Sequence, residues 1–244
     1  VSWGVVVPAA LAALLLYTSL RETRPPAERA GSSFRGALRS YGVLLRDGHF
    51  LGLSQIGGFG VASFFAYLAT PSFVLIDHYG LTPRQYSVAF AANAASFIGA
   101  SQLTARWGSR FGLARMVKVA VTAYAIVMAI ALLLQLAGVD SLAVMLAMLF
   151  VGYGALGLVV PATMVLSMEE HGPIAGAASA LGGTLHFVCG IVVMGSVSVF
   201  ANGDPVPMLA AIAASAATAC AFPWGTLRRT NLVPGEGEGE RAGA

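Results

Sequence analysis

Residues 50–76 read FLGLSQIGGFGVASFFAYLATPSFVLI, a run without a single Asp, Glu, Lys or Arg. A hydrocarbon core about 30 Å thick is crossed by roughly 20 apolar helical residues, so this stretch alone is long enough to span a bilayer. Working outward, six more windows are equally free of formal charge: 1–20, 85–105, 119–139, 141–168, 171–203 and 205–227. Seven such windows predict an all-α, polytopic membrane helix bundle. Composition agrees: 57% of residues are hydrophobic and 10% charged, and mean hydropathy is +0.77, a very apolar balance for a domain dissolved in water.

The charges that remain are sorted by side. Of the 14 Lys and Arg, all but Arg84 fall in the segments 21–49, 106–118 and 228–244, with six, four and three basic residues. Cytoplasmic loops collect Lys and Arg, which predicts a multi-pass protein of the cell inner membrane with the N-terminus of this chain outside and its C-terminus inside. The turns at 77–84, 140 and 203–205 then face out, and the net charge of +3 belongs to the inner loops. Nothing in it calls for a nucleic-acid partner; membrane lipid is the partner it implies.

Val1 opens directly into a span with no basic flank, unlike a signal peptide, and the chain reads as one that starts partway through a longer protein. Cys189 and Cys220 lie inside predicted spans, where a thiol behaves as a small apolar side chain, so neither a disulfide framework nor a metal site is expected. The segment 21–49 joins the first span to the other six. Within it Phe34, Ala37, Leu38, Tyr41, Leu44 and Leu45 recur at helical spacing while Arg35, Arg39 and Arg46 turn elsewhere. This is the pattern of a short basic helix lying on the inner leaflet, although a solvated linker with chance periodicity is the plainer alternative. The six spans of 50–227 suggest an inverted three-plus-three repeat. The tail 228–244, with its GEGEGERAGA, is too polar and Gly-rich to bury apolar area, which predicts disorder.

For chemistry the chain offers little of the enzymatic kind. It has no HExxH, GxSxG, CxxC or GxxxxGK[ST] string, so neither a catalytic residue nor a cofactor is expected. Apart from His171 at the very edge of 171–203, His186 is the one group in the windows of a type that titrates near neutral pH, and an imidazole at that depth must face protein or water. It can bind substrate or shuttle protons; a neutral histidine bonded to a neighbouring helix is the bland alternative. Gln55, Phe59, Tyr67, Asn93, Phe97 and Tyr153 join it as candidates for a greasy cavity with a few hydrogen-bonding groups, which suits varied organic ligands. Ordinary helix packing explains each of them singly. Glycines crowd the second, fifth and sixth spans, where small residues let helices approach and bend. The basic run Arg106-Trp107-Gly108-Ser109-Arg110-Phe111-Gly112, followed by Arg115 and Lys118, reads as a tight inner turn between the third and fourth spans.

Several strings carry a family resemblance: FRGALRSYGVLLRDGHFLG, FAYLATPSFVLIDHYGLTPRQY with FAANAASFIGA, and VVPATMVLSMEE with AGAASALGG. From Trp3 to about Trp224 the chain resembles the second half of a major facilitator superfamily transporter, in the bicyclomycin and chloramphenicol resistance (Bcr/CflA) branch of drug:proton antiporters. In that register 1–20 matches the last helix of the N-terminal half, 21–49 the central cytoplasmic linker, and 50–227 the six-helix C-terminal bundle. The resemblance implies a second copy of the superfamily's inner-loop conformational motif at Gly99, Arg110, Gly112 and Arg115. It differs from the pattern in having no acidic residue between Gly99 and Arg110, and Ala162 where Asn is expected after Pro161. Proton-coupled efflux of small amphipathic compounds by alternating access is the implied function, with the missing N-terminal helices of the same protein as partner. Coupling through this chain would rest on His186, because its last six spans hold no carboxylate. A metabolite carrier of the same fold remains open. A seven-span receptor is the reading from another class; Lys118, the sole lysine, stands at a cytoplasmic edge rather than deep in a helix, which argues against a retinal protein.

Overall fold

The computed structural model describes residues 3–19, 34–200 and 203–226; most of the linker and the tail predicted to be disordered lie outside the described residues. Nine α-helices are present among them: α1 Trp3–Ser19, α2 Phe34–Leu44, α3 Gly48–Ala69, α4 Pro83–Ser101, α5 Thr104–Phe111, α6 Leu113–Leu136, α7 Leu142–Glu169, α8 Ala175–Ser198 and α9 Pro205–Thr226. The chain divides into two compact units, residues 1–40 and 41–244.

In the first unit α1 is apolar and exposed on every side described, from Val6 at 51% to Tyr17 at 88%. A helix with no polar stripe and no buried face meets its match in lipid, not water.

In the second unit α3 packs on α8, α9 and α7; α7 in turn packs on α6 and α4, and α9 closes against α6. The core they share is made by Leu53, Ile56, Val121, Met128, Leu149, Leu156, Met208 and Ile212 with the rings of Tyr67, Tyr124 and Tyr153. A smaller cluster forms at one end, where Leu44 of α2 and Phe50 meet Ala178, flanked by Tyr41, Met168 and Ile174. Polar seams run between helices: Tyr124 donates to Ser63 Oγ at 2.6 Å and Ser63 to the Gly60 carbonyl at 2.6 Å. In a bilayer such bonds and close packing, not exclusion from water, hold helices together.

Local sequence explains the helix ends. Asp47 accepts from the His49 amide to start α3. Thr82 and Gln85 form a capping box around Pro83 at the start of α4. The predicted span 50–76 is broken at Thr70-Pro71, beyond which Ser72–His78 winds as a π-helix. Proline supplies no amide donor and crowds the preceding turn, so an ideal α-helix stops there.

One expectation is corrected. The run 106–118 is not a turn: residues Thr104–Phe111 form α5, and α6 begins at Leu113 rather than 119. Thr104 and Gly108 are buried, with Arg106 and Arg110 exposed, so α5 is an amphipathic helix. Gly112, at φ +80°, makes the joint with α6 in a backbone conformation that side chains disfavour. Among the described residues, five of the seven predicted spans are helical stretches long and apolar enough on their own to cross a membrane: α3, α6, α7, α9, and α8 with the 3₁₀ turn before it. The first and third predicted spans are the exceptions. Described apolar residues of α1 number too few, and α4 carries Arg84, Gln85 and Asn93. Asn93 is buried against protein, so α4 tolerates a polarity that a lipid-facing helix would not.

The described turns fall at two ends. His78 and Tyr79 meet Asp140, and Gly203 lies beside the Phe73 carbonyl, so the turns predicted to face out share one end. At the other, Gly52 abuts Thr226 and Asp47 pairs with His171.

Candidate functional site

The candidates from sequence separate into two groups. The first is aromatic and is built by α3, α4 and α7. Tyr67 stacks on Phe90 with ring centroids 6.0 Å apart and planes within 12°. Tyr153 lies 5.8 Å from Tyr67 and meets the edge of Phe64 at 5.9 Å. Tyr86 and Phe64 each stand 6.3 Å from Phe90, extending the cluster on both sides. Asn93 Nδ2 donates to Tyr67 Oη at 3.4 Å, a long bond inside an otherwise apolar cage. Tyr153 Oη is fully buried and has no hydrogen-bond partner. Leaving a buried hydroxyl unpaired costs about 1–3 kcal/mol, so this group is one that a ligand or an ordered water would stabilise.

The second group surrounds His186 of α8, which is 6% exposed. Its imidazole lies in the notch left by Gly57 and Gly58 of α3: a Cβ on Gly57 would sit 2.7 Å from His186 Nε2 and 2.8 Å from Thr163 Oγ1 of α7. His186 has a backbone hydrogen bond at Ser54. One turn further along α8, Cys189 Sγ donates to Gln55 Oε1 at 3.3 Å. An imidazole at a three-helix junction, bordered by a hydroxyl and glycine backbone, can exchange a proton only if the helices part or water enters between them.

Tyr67 and Gly57 are ten residues apart on α3, as are Thr163 and Tyr153 on α7. At 1.5 Å per residue the two groups are about 15 Å apart along the bundle. Tyr67, Asn93 and Tyr153 therefore belong together, and Gln55 belongs with His186. Phe59 is in neither: it stacks on Phe222 of α9 at 6.3 Å. Phe97 is in neither as well: its half-buried side chain packs against the core and its carbonyl lies against Gly157 of α7. Of the conformational motif, Gly99 closes α4, Arg110 holds its guanidinium 5.3 Å over the Phe111 ring, and Gly112 and Arg115 bracket the start of α6.

Sequence reasoning passed over the three other histidines. His78 Nε2 lies 2.8 Å from Asp140 Oδ2, and Tyr79 Oη donates to Asp140 Oδ1 at 2.5 Å. At the opposite end His49 Nδ1 lies 3.2 Å from Glu170 and His171 Nε2 3.1 Å from Asp47. His171 Nδ1 also faces the Ser167 carbonyl at 3.2 Å, so its ring satisfies both acceptors only when both nitrogens carry protons. Each of these histidines is next to or one residue removed from an acid in sequence, which was the available signal. No group of three metal-ligating side chains occurs among the described residues.

Residues 1–194 match the family model described as Major Facilitator Superfamily. The chain is also 32% identical over 183 residues to "Uncharacterized MFS-type transporter YdgK" of Bacillus subtilis (strain 168), covering 75% of this chain and 45% of that protein. It thus spans about half the length of the curated relative it matches. With a helical bundle of membrane-crossing length and a family match over most of the sequence, the chain belongs to the major facilitator superfamily.

Proposed function

We propose that this chain supplies the C-terminal half, and one preceding helix, of a proton-coupled exporter of small amphipathic compounds, of the Bcr/CflA kind. The family is one of transporters rather than enzymes, and membership also sets aside a receptor. The observation that carries the reading is the Tyr153 hydroxyl, buried and unpartnered inside rings donated by three helices. Such a site offers an aromatic or aliphatic cargo a large contact surface and one hydrogen bond. Cargo enters between this half and N-terminal helices of the same protein, and rocking of the two halves exposes the site to either side in turn. His186, about 15 Å away along the bundle, is the group through which this half takes part in proton movement.

The test uses the intact transporter in proteoliposomes. Tyr153→Phe removes one hydrogen bond and leaves the ring, so affinity for cargoes that bond to it falls roughly five- to tenfold, about 1–1.5 kcal/mol. His186→Ala alters cargo-stimulated proton flux while the fold, read by thermal melting, persists. Unchanged affinity across a panel of aromatic amphiphiles, with unchanged flux in His186→Ala, would overturn the proposal.

A further inference from the structure

We propose that a cavity between α5, α6 and α7 is a site for an anionic phospholipid, with acyl chain along its apolar lining and phosphate at Arg115. The cavity, about 500 Å³, is lined by Trp107 and Phe111 of α5, Arg115 and Val119 of α6, and Ala155 and Leu158 of α7. Its lining combines aliphatic side chains with two aromatic rings and one arginine, the two parts of an amphiphile's requirement. Trp107 and Phe111, one helical turn apart, are left 40% and 53% exposed, and Arg110 sits over the Phe111 ring. Amphipathic rings beside arginine are what the boundary between headgroups and hydrocarbon favours.

Charge decides which amphiphile fits. Arg106, Arg110, Arg115 and Lys118 fall within 13 residues, and no Asp or Glu occurs anywhere from 78 to 139. Of the described acids at the same end, Asp47 faces His171 and Glu170 faces His49, while Glu169 stands exposed at the close of α7. A zwitterionic or neutral amphiphile would use the apolar lining but bring no net negative charge to Arg110 and Arg115. An anionic phosphate brings it, since guanidinium groups bind phosphate through paired hydrogen bonds, and basic pockets between membrane helices take anionic head groups. The site is separate from the aromatic group and from His186, and does not depend on what is transported.

Trp107 reports occupancy directly. In the intact protein with its other tryptophans replaced, beginning with Trp3→Phe and Trp224→Phe, fluorescence is followed in vesicles containing brominated phosphatidylglycerol or, at equal mole fraction, brominated phosphatidylcholine. The anionic lipid is expected to quench more strongly, with the excess reduced by salt. Arg110→Gln and Arg115→Gln should each lower the preference about fivefold, the usual contribution of one basic residue at an anionic surface, whereas Arg115→Lys should keep it. Equal quenching by the two lipids, or a preference that survives loss of both arginines, would overturn the proposal. So would absence of quenching by either lipid, which would mean that protein covers the cavity, or displacement of both lipids alike by a neutral aromatic amphiphile.

Discussion

Gly157 marks the closest approach of two helices: a Cβ there would run into the backbone carbonyl of Phe97 on α4, well inside contact distance. A side chain in the way can rotate, but a helix backbone cannot. Gly157→Ala is therefore expected to push α4 from α7 and cost about 1–3 kcal/mol, read as a lower unfolding midpoint in detergent. Gly154 provides the control, because its added methyl would meet only a side chain, the Ser96 hydroxyl at 2.8 Å, which can turn aside at the expense of its bond to the Phe150 carbonyl. Gly154→Ala should be the milder change, and equal effects would show that α4 does not rest on α7 through Gly157. Gly99, by contrast, has nothing within 4 Å of an added Cβ, so whatever role it has in the motif is not one of packing in this conformation. Tyr153 is the other residue that stands out, since it combines full burial with an unused hydroxyl.

Among elements, the two ends of α3 are clipped differently. At its far end, just past the π-helical turn, His78 and Tyr79 hold Asp140 of the α6–α7 turn, with Gln135 donating at 3.3 Å. These bonds keep the Asp140 carboxyl below its ordinary 3.8, Tyr79 contributing most, then His78 and Gln135. Burial, and after it the same carboxylate, drives the Tyr79 phenol upward. A depressed carboxyl stabilises the fold at any pH above its unfolded value, and that contribution disappears as pH falls through the folded value, here somewhere below 3.8. The stability difference between wild type and Asp140→Asn should thus be steady near neutrality and vanish in strong acid. In Tyr79→Phe the Asp140 titration, followed by carboxyl NMR, should move up toward 3.8; an unmoved midpoint would remove Tyr79 as its principal donor. The near end carries two histidine clips, His49 on Glu170 and His171 on Asp47, which fasten the start of α3 to the short α7–α8 connection.

The second unit, taken whole, gathers its described turns at two ends, and Arg84, at the start of α4, is the single Lys or Arg described at one of them. If basic residues fix orientation, the end with α5 and the α7–α8 connection is cytoplasmic and the Asp140 turn is outside. A fluorescent-protein fusion at the C-terminus should then glow in the cell, and a phosphatase inserted at the Asp140 turn should be active. The reverse pattern would show that basic side chains do not set the topology here. Much of this was legible in the sequence. Uncharged windows gave the helix bundle, because backbone groups in lipid must bond within their own helix. What they missed was α5: charge marks where the chain meets water, and Arg106 and Arg110 sit on the exposed face of a helix whose Thr104 and Gly108 are buried. The aromatic and histidine residues were singled out one by one, but their division into two groups was not visible, since helical spacing places a residue on a face without saying which helix it faces.

By itself, then, the sequence determined that this protein is a polytopic helical bundle, that nearly all its Lys and Arg fall in three stretches between or after the apolar windows, and which few polar residues enter those windows. Each follows from composition over a window, where solvent preference acts residue by residue and needs no partner. Only the tertiary structure decided that Tyr67, Asn93 and Tyr153 form one group and His186 with Gln55 another, that Phe59 turns to α9, and that His171 closes on Asp47 across 124 residues of chain. Those are pairings between helices, set by how glycine notches such as Gly57 and Gly157 let particular backbones approach, and no local pattern encodes which helix will fill the notch.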